Sequence, residues 1–125
     1  MAKILLVEDD QFLSSLLKNR LQKENYEVVL ATDGEAAINY LRTADFDLIL
    51  LDIILPKKTG FEVLEEINLD PRFQAKKPPI IIISNLGQVE DIKRGQELGV
   101  IEYLIKAKIS IDDLINKVKE FLKNK

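Results

Sequence analysis

The chain has 125 residues, of which 46% are hydrophobic and 31% charged, and its formal net charge at pH 7 is −3. This length and composition predict one folded domain over residues 1–125, and the acidic balance does not support binding to nucleic-acid phosphates. Because cysteine and histidine are both absent, disulfides, thiolate catalysis, imidazole metal ligation, serine–histidine catalysis and a phosphohistidine donor role are excluded.

The N-terminal stretch MAKILLVEDD contains an apolar run that is too short for the core of a signal peptide, and acids follow it directly. No later run approaches the roughly 20 apolar residues of a membrane span. We therefore expect a cytoplasmic protein without a membrane segment.

Short aliphatic runs alternate with segments of helical periodicity along the chain. The runs predict strands buried on both faces, at Lys3–Val7, Glu27–Ala31, Leu48–Leu51, Ile80–Ile83 and Ile101–Ile105. Apolar residues at helical spacing predict five helices, within residues 13–21, 36–41, 61–67, 89–98 and 114–122. Ser110, with Asp113 three residues later, is a capping signal for the last helix. The polar stretch at residues 68–79 is expected to be a connection within the domain.

Strict alternation of strands and helices predicts right-handed crossovers and a parallel sheet covered by helices on both faces. We therefore expect an α/β fold of the doubly wound (βα)5, flavodoxin-like type, with the strand order 2-1-3-4-5. Ligands of such sheets bind beyond the carboxyl ends of the strands, where the winding direction switches.

Polar residues stand where the predicted strands end. The first strand is followed by Glu8-Asp9-Asp10, the third by Asp52, the fourth by Ser84 and the fifth by Lys106. Asp52 interrupts an apolar run, although burying an unpartnered carboxylate costs several kcal/mol. In the expected strand order, Asp9 or Asp10 faces Asp52, and Ser84 and Lys106 lie beyond it.

Carboxylates that share one crevice repel each other unless they also share a cation. Magnesium suits such a set because it is a hard ion that takes one or two carboxylates, several waters and a phosphoryl oxygen. Lys106 can hold another phosphoryl oxygen, and Ser84 offers a hydroxyl donor. The set predicts a phosphoryl-transfer site in which Asp52 is the nucleophile and forms an acyl phosphate.

Each of these residues has a plainer interpretation when it is taken alone. Asp10 can cap the first helix, Asp52 and Ser84 can be turn residues, and Lys106 can be a solvated lysine. Their joint occurrence at the expected strand ends is what favours a site.

The chain resembles the receiver domains of two-component response regulators from end to end. The stretches that carry the resemblance are ILLVEDD, ATDGEAAINYL, DLILLDIILPKKTGFEVL, PIIIIS and LGVIEYLIKA. The D-x-x-x-P-x-x-x-G spacing from Asp52 through Pro56 to Gly60 is specific, and it occurs together with the acidic residues and Lys106.

The resemblance implies a role for each site residue. Asp52 matches the phosphoacceptor. Asp9 and Asp10 match the acidic pair that holds Mg²⁺ (or Mn²⁺), and the backbone carbonyl of Ile54 matches a further ligand. Ser84 and Lys106 match the residues that contact the phosphoryl group, and Tyr103 matches the aromatic switch residue, with plain core packing as its alternative.

The implied function is that of a phosphoacceptor rather than an enzyme, although the domain promotes its own Mg²⁺-dependent phosphorylation and dephosphorylation. A histidine kinase or phosphotransfer protein supplies the phosphoryl group, and an unknown downstream protein responds to it. The surface of the fourth helix, fifth strand and fifth helix changes on phosphorylation, and a phosphorylation-dependent dimer through the fourth and fifth helices is compatible with its charges.

The sequence departs from the family pattern at three places. Ala107 follows Lys106 where proline is usual, and we expect a trans peptide bond there because a cis bond costs about 2.5–4 kcal/mol before a non-proline residue. Asn85 replaces a small residue, and its amide is expected to narrow the approach to Asp52 or to donate to the phosphoryl group. Ile54 and Leu86 are apolar and cannot orient an attacking water, which predicts an acyl phosphate that lasts minutes or more.

Gly95 lies inside the predicted fourth helix, where glycine costs about 1 kcal/mol relative to alanine. Either close packing requires it, or the helix is loosely held and responds to the switch.

Other interpretations stay open at this point. An aspartyl-phosphate phosphatase normally has a second aspartate two residues after the first, where this chain has Ile54. A flavin-binding carrier needs a glycine-rich phosphate loop after the first strand, and the acidic EDDQ would repel phosphate. A receiver-like interaction module that is never phosphorylated, and a receiver cut from a longer regulator, are the remaining alternatives.

Overall fold

A computed structural model describes residues 1–73 and 77–123. The strands are β1 (Lys3–Val7), β2 (Glu27–Ala31), β3 (Leu48–Leu51), β4 (Ile80–Ser84) and β5 (Glu102–Ile105). The helices are α1 (Gln11–Lys23), α2 (Gly34–Thr43), α3 (Gly60–Leu69), α4 (Val89–Glu97) and α5 (Ile111–Leu122). Single turns of 3-10 helix lie at Pro71–Phe73 and Lys106–Lys108. All the predicted elements are confirmed, with shifts of one residue at the end of β4 and the start of β5; residues 74–76 of the predicted connection lie outside the described residues.

The strands form one parallel sheet in the order β2-β1-β3-β4-β5, which confirms the predicted doubly wound fold. Val7 pairs with Ala31 on one side and with Leu51 on the other, so the carboxyl ends of β1 and β3 are level. The backbone N–H of Asp52 continues this pairing beyond β3 by donating to the carbonyl of Val7 at 3.0 Å. The winding direction therefore switches where Asp52 and the residues after β1 meet.

Strand alternation divides the apolar side chains between two layers, one on each face of the sheet. Leu48 and Leu50 pack with α1 and α5, in what we call the α1–α5 layer. Ile49 and Leu51 pack with α2 and α3, in the α2–α3 layer. Both faces of β3 are thus buried, which explains why its sequence is a continuous aliphatic run.

Polar side chains cap the helices at their amino ends. Asp10 accepts from the backbone N–H of Leu13 at 3.0 Å at the start of α1. The capping signal predicted for α5 is confirmed, because the hydroxyl of Ser110 accepts from the N–H of Asp113 at 3.0 Å. These bonds satisfy N–H groups that have no partner within the helix.

Gly95 is the one fully buried residue of helix α4, all of which the structure describes, and Ile92 is half-buried. A Cβ added to Gly95 would lie 3.0 Å from both Cδ1 of Ile82 and Cδ2 of Tyr103. Close packing therefore accounts for the glycine, as one of the two explanations predicted.

Within the described residues every peptide bond is trans, and the bond between Lys106 and Ala107 is one of them, as expected. None of the helices in the described part of the chain has the length and apolar composition needed to span a membrane.

Candidate functional site

Three charged side chains continue one face of the sheet beyond the strand ends. Leu6, Leu50 and Leu104 belong to the α1–α5 layer. Glu8, Asp52 and Lys106 each follow one of these leucines by two residues, which returns them to the same face. The three charged groups therefore meet although they are distant in sequence.

Lys106 binds both carboxylates. Its Nζ donates to Oδ2 of Asp52 at 2.6 Å and lies 2.8 Å from Oε1 of Glu8. Glu8 is only 2% exposed and Asp52 only 4% exposed. Backbone N–H groups supply further bonds, from Ile54 to Oδ1 of Asp52 at 3.2 Å and from Asp10 to Oε2 of Glu8 at 3.1 Å. The charges are thus buried but paired, as charged groups in protein interiors require.

The pKa values of this group reflect burial and pairing. Burial raises the pKa of the Glu8 carboxyl above its ordinary value, and the hydrogen bond with Lys106 offsets only part of that effect. Burial by itself lowers the pKa of Lys106, but the hydrogen bonds to Asp52 and Glu8 outweigh it, so the pKa is raised and the ammonium form is favoured. Lys106 therefore stays protonated, and the loss of a proton from Glu8 is disfavoured.

A cluster of three acids lies at the site, and it differs from the pair expected. Carboxylate oxygens of Glu8, Asp9 and Asp52 lie within 4.8 Å of one another. Asp10 does not belong to this group, because the chain turns into α1 at that residue and its carboxylate caps the helix. The structure therefore brings Glu8 and Asp9, rather than the expected pair of Asp9 and Asp10, into the group with Asp52. The alternation Ile4, Leu6, Glu8 was the sequence signal that could have identified Glu8.

The cluster suits a divalent hard cation. The three groups offer only oxygen donors, and the chain contains no histidine or cysteine to favour a softer metal. Lys106 is paired with Glu8 and Asp52, so the group has three acidic side chains and one ammonium. The Ile54 side chain is 59% exposed; the role of its carbonyl as a metal ligand stays a prediction.

Ser84 ends the strand next to β3, where it was predicted to lie. Its side chain is buried, and its hydroxyl accepts from the N–H of Leu86 at 3.3 Å. Alternation along β4 places it on the face of Ile80 and Ile82, which is the α2–α3 layer. Ser84 therefore borders the site from the face opposite to Lys106, and its contact with a phosphoryl group stays a prediction.

Tyr103 packs against the α2–α3 layer and is also tied to the loop after β4. It is half-buried, and its hydroxyl donates to the carbonyl of Leu86. Burial raises the pKa of Tyr103 to about 12, and the negative charges of Asp91 and Asp52 act in the same direction. The residue is thus both a packing residue and a hydrogen-bonded neighbour of the loop that follows Ser84.

Asn85 lies on the surface, and its amide oxygen accepts from the backbone N–H of Ala107 at 3.0 Å. The sequence predicts that this amide either narrows the approach to Asp52 or donates to a phosphoryl group, and both roles stay predictions. Its bond to the residue after Lys106 was not foreseen.

The family model described as the response regulator receiver domain matches residues 4–119. The chain belongs to the response regulator receiver domain family. Membership supports a phosphoacceptor role in two-component signalling, as the resemblance in sequence implies.

Curated relatives of this receiver domain are about twice its length. The chain is 37% identical to the transcriptional regulatory protein CpxR of Escherichia coli (strain K12) over 123 residues, which are 98% of this chain and 50% of that protein. It is 33% identical to the response regulator ArlR of Staphylococcus saprophyticus over 123 residues, which are 98% of this chain and 53% of that protein. The receiver domain thus spans about half the length of these relatives.

Solved receiver structures share the whole fold. The Francisella response regulator 1452 receiver domain has a TM-score of 0.86 and 29% identity, covering 99% of this chain and 98% of that one. The chemotaxis response regulator CheY4 of Vibrio cholerae has a TM-score of 0.85 and 29% identity, covering 98% and 99%. The Mn²⁺-bound form of response regulator Rcp1 has a TM-score of 0.83 and 32% identity, covering 97% and 94%.

Proposed function

We propose that Asp52 is the residue that accepts the phosphoryl group, from the phosphohistidine of a histidine kinase or phosphotransfer protein. The observation that carries this proposal is the position of Asp52, which is buried and 2.6 Å from Lys106, beside Glu8 and Asp9. A carboxylate oxygen of Asp52 forms the new bond to phosphorus while the P–N bond of the donor breaks, and the imidazole leaves. The product is an acyl phosphate.

Lys106 changes partners in this step. In the unphosphorylated domain its ammonium holds the carboxylates of Asp52 and Glu8. As negative charge develops on the transferring oxygens, the same ammonium can hold one of them, and little rearrangement is needed because the group is already in place. The hydroxyl of Ser84 is proposed to contact another oxygen from the face of the α2–α3 layer.

Glu8, Asp9 and Asp52 are proposed to hold a divalent ion, Mg²⁺ or Mn²⁺, with the carbonyl of Ile54 as a further ligand. A bound ion would supply positive charge to the phosphoryl oxygens. The oxygen-only cluster supports this, and so does the similarity to Rcp1, a response regulator known in a Mn²⁺-bound form. Asp10 is proposed to act as the α1 cap and not as a ligand.

Phosphorylation is proposed to act through the loop after β4. The modification adds nearly two negative charges beside Ser84. The hydroxyl of Ser84 accepts from the N–H of Leu86 in this loop, and the carbonyl of Leu86 accepts from the hydroxyl of Tyr103. A shift of this loop would change the face formed by α4, β5 and α5. A cytoplasmic downstream protein is proposed to bind that face, and a phosphorylation-dependent dimer through α4 and α5 is a further form of output.

Incubation with acetyl phosphate and Mg²⁺, followed by intact mass spectrometry, tests the acceptor. We expect the mass of one phosphoryl group to be gained by the wild-type chain and by Asp45→Asn, a matched change of an exposed aspartate, and not by Asp52→Asn. An unmodified wild-type chain would instead indicate a receiver-like module that is not controlled by phosphorylation.

The same assay tests the metal ligands. A chelator should abolish the reaction, and Glu8→Gln and Asp9→Asn should raise the Mg²⁺ concentration needed for half the maximal rate by about 10-fold or more. Asp10→Asn should leave that concentration unchanged, because asparagine also caps helices. A strong effect of Asp10→Asn with none from Glu8→Gln would restore the pair expected from the sequence.

A further inference from the structure

Asn85 and Ala107 join the loops that follow β4 and β5. The amide oxygen of Asn85 accepts from the backbone N–H of Ala107 at 3.0 Å. Ala107 is the second residue of the 3-10 turn at Lys106–Lys108, and this turn has no side-chain cap from Ile105, the residue before it. The first N–H groups of a helical turn have no partner inside it, so Asn85 supplies a partner from another loop.

The two residues are complementary departures from the family pattern. Proline, which is usual after the lysine, has no N–H to donate, and the small residue usual after Ser84 has no oxygen to receive one. This chain has a donor at one position and an acceptor at the other, and the two are bonded to each other.

Other contacts bring the loop after β4 against the end of β5. The hydroxyl of Tyr103 donates to the carbonyl of Leu86. A Cβ added to Gly87 would lie 2.6 Å from Cδ1 of Ile105, so the backbone at Gly87 is directly against that side chain. Residues 85–87 thus make three contacts with β5 and the turn that follows it, and the Asn85 bond is the one made to the turn.

We propose that Asn85 is a positioning residue that fixes the turn at Lys106–Lys108 and so keeps the Lys106 ammonium between Glu8 and Asp52. Lys106 directly precedes the bonded Ala107, and its side chain has to reach two carboxylates at 2.6 and 2.8 Å. When the bond to Asn85 is removed, the turn moves more freely and the ammonium occupies that place less often. The consequence for phosphoryl transfer rests on the proposed function, whereas the position of the turn does not.

Nuclear magnetic resonance of the unphosphorylated chain tests the position directly. In Asn85→Ala, we expect the backbone amide of Ala107 to exchange with solvent roughly 5-fold faster, and the side-chain carbon signals of Lys106 to move. Asn39→Ala, a matched change on the exposed surface of α2, should alter neither. An unchanged Ala107 exchange rate in Asn85→Ala would overturn the proposal.

A double-mutant cycle tests the consequence, with phosphorylation by acetyl phosphate as the measurement. Ala107→Pro removes the N–H and Ala107→Gly keeps it. Asn85→Ala and Ala107→Pro should each slow phosphorylation about 3-fold, Ala107→Gly should slow it less, and the double variant should be close to the slower single variant. Losses that multiply in the double variant would overturn the proposal. If the wild-type chain accepts no phosphoryl group, the proposed function fails, and the exchange rate and Lys106 signals still decide the role of Asn85.

Discussion

The ammonium of Lys106 lies 2.8 Å from Oε1 of Glu8, a carboxylate that is 2% exposed and continues the face formed by Ile4 and Leu6. Burial raises the pKa of Glu8, and the hydrogen bond with Lys106 offsets only part of this increase, so the pKa remains above its ordinary value. Burial therefore disfavours the ionised form of Glu8, while the same bond favours the charged form of Lys106.

Glu8→Gln is predicted to stabilise the metal-free domain near neutral pH. The folded state holds the Glu8 proton more tightly than the unfolded state, whose pKa is near 4.5, so the free energy of unfolding falls as pH rises from 4.5 through the folded-state pKa. Glutamine resembles the protonated carboxyl and does not titrate, so the variant should have a higher free energy of unfolding than the wild-type domain at pH 7. Urea unfolding with a chelator, at pH 7 and at pH 4, measures the difference, which should shrink at pH 4.

Glu97→Gln changes an exposed acid of α4 and serves as the control for this prediction. It should not reproduce the gain at pH 7. A Glu8→Gln variant that is less stable than the wild-type domain at pH 7 would show that the bond with Lys106 outweighs the cost of burial.

Tyr103→Phe is predicted to lower the free energy of unfolding by about 1 kcal/mol at neutral pH, because the carbonyl of Leu86 loses its donor. The pKa of Tyr103 is raised from 10.0 to about 12, so the unfolded state ionises first and the wild-type domain loses stability as pH rises from 10.0 to about 12. Phenylalanine does not ionise, so the stability of the variant lacks this pH dependence. The difference in free energy of unfolding between the wild-type domain and the variant should therefore narrow above pH 10. Urea unfolding at pH 7.5 and pH 10.5 provides the comparison, and a constant difference would contradict the assigned cause.

Gly95→Ala is predicted to destabilise the domain although alanine favours helix. The added methyl group would lie 3.0 Å from Ile82 and Tyr103, and overpacking costs about 1–3 kcal/mol against a helical gain of about 1 kcal/mol. Thermal unfolding should show a net loss, and Gln96→Ala, at an exposed position of the same helix, should show none.

Ile82→Val removes the Cδ1 atom that the new methyl group would meet. Combined with Gly95→Ala, it should therefore cost less than the sum of the two single changes. Additive losses would indicate that the effect of Gly95→Ala comes from a different contact.

The acyl phosphate is predicted to last minutes or more. Ile54 is 59% exposed and offers no polar group to orient a water, and Leu86 is also apolar. Ile54→Asn should shorten the lifetime roughly 10-fold by supplying an amide, while Leu69→Asn, at an exposed position of α3, should not change it. Loss of the phosphoryl mass with time, after removal of the donor, measures the lifetime; a half-life of a few seconds in the wild-type chain would contradict the prediction.

The sequence by itself determined the elements and the parallel, doubly wound class of the sheet. Continuous aliphatic runs such as Leu48–Leu51 specify strands buried on both faces, and helices between all of them require parallel crossovers. Asp52 and Lys106 could be selected for the same reason, because each ends an apolar run at an edge that the topology brings together. These are local patterns of apolar and polar residues, and they predict the structure well because burial of the apolar residues drives folding.

Only the tertiary structure decided which acids and amides meet. Glu8 and Asp10 are two residues apart and both acidic, yet one faces Lys106 and the other caps α1, because the chain leaves the strand direction between them. The bond of Asn85 to Ala107 joins residues 22 apart, and that of Tyr103 to Leu86 joins residues 17 apart. The direction of a side chain after a strand ends depends on the backbone path and on the partners that packing brings near, and neither is encoded in a local pattern.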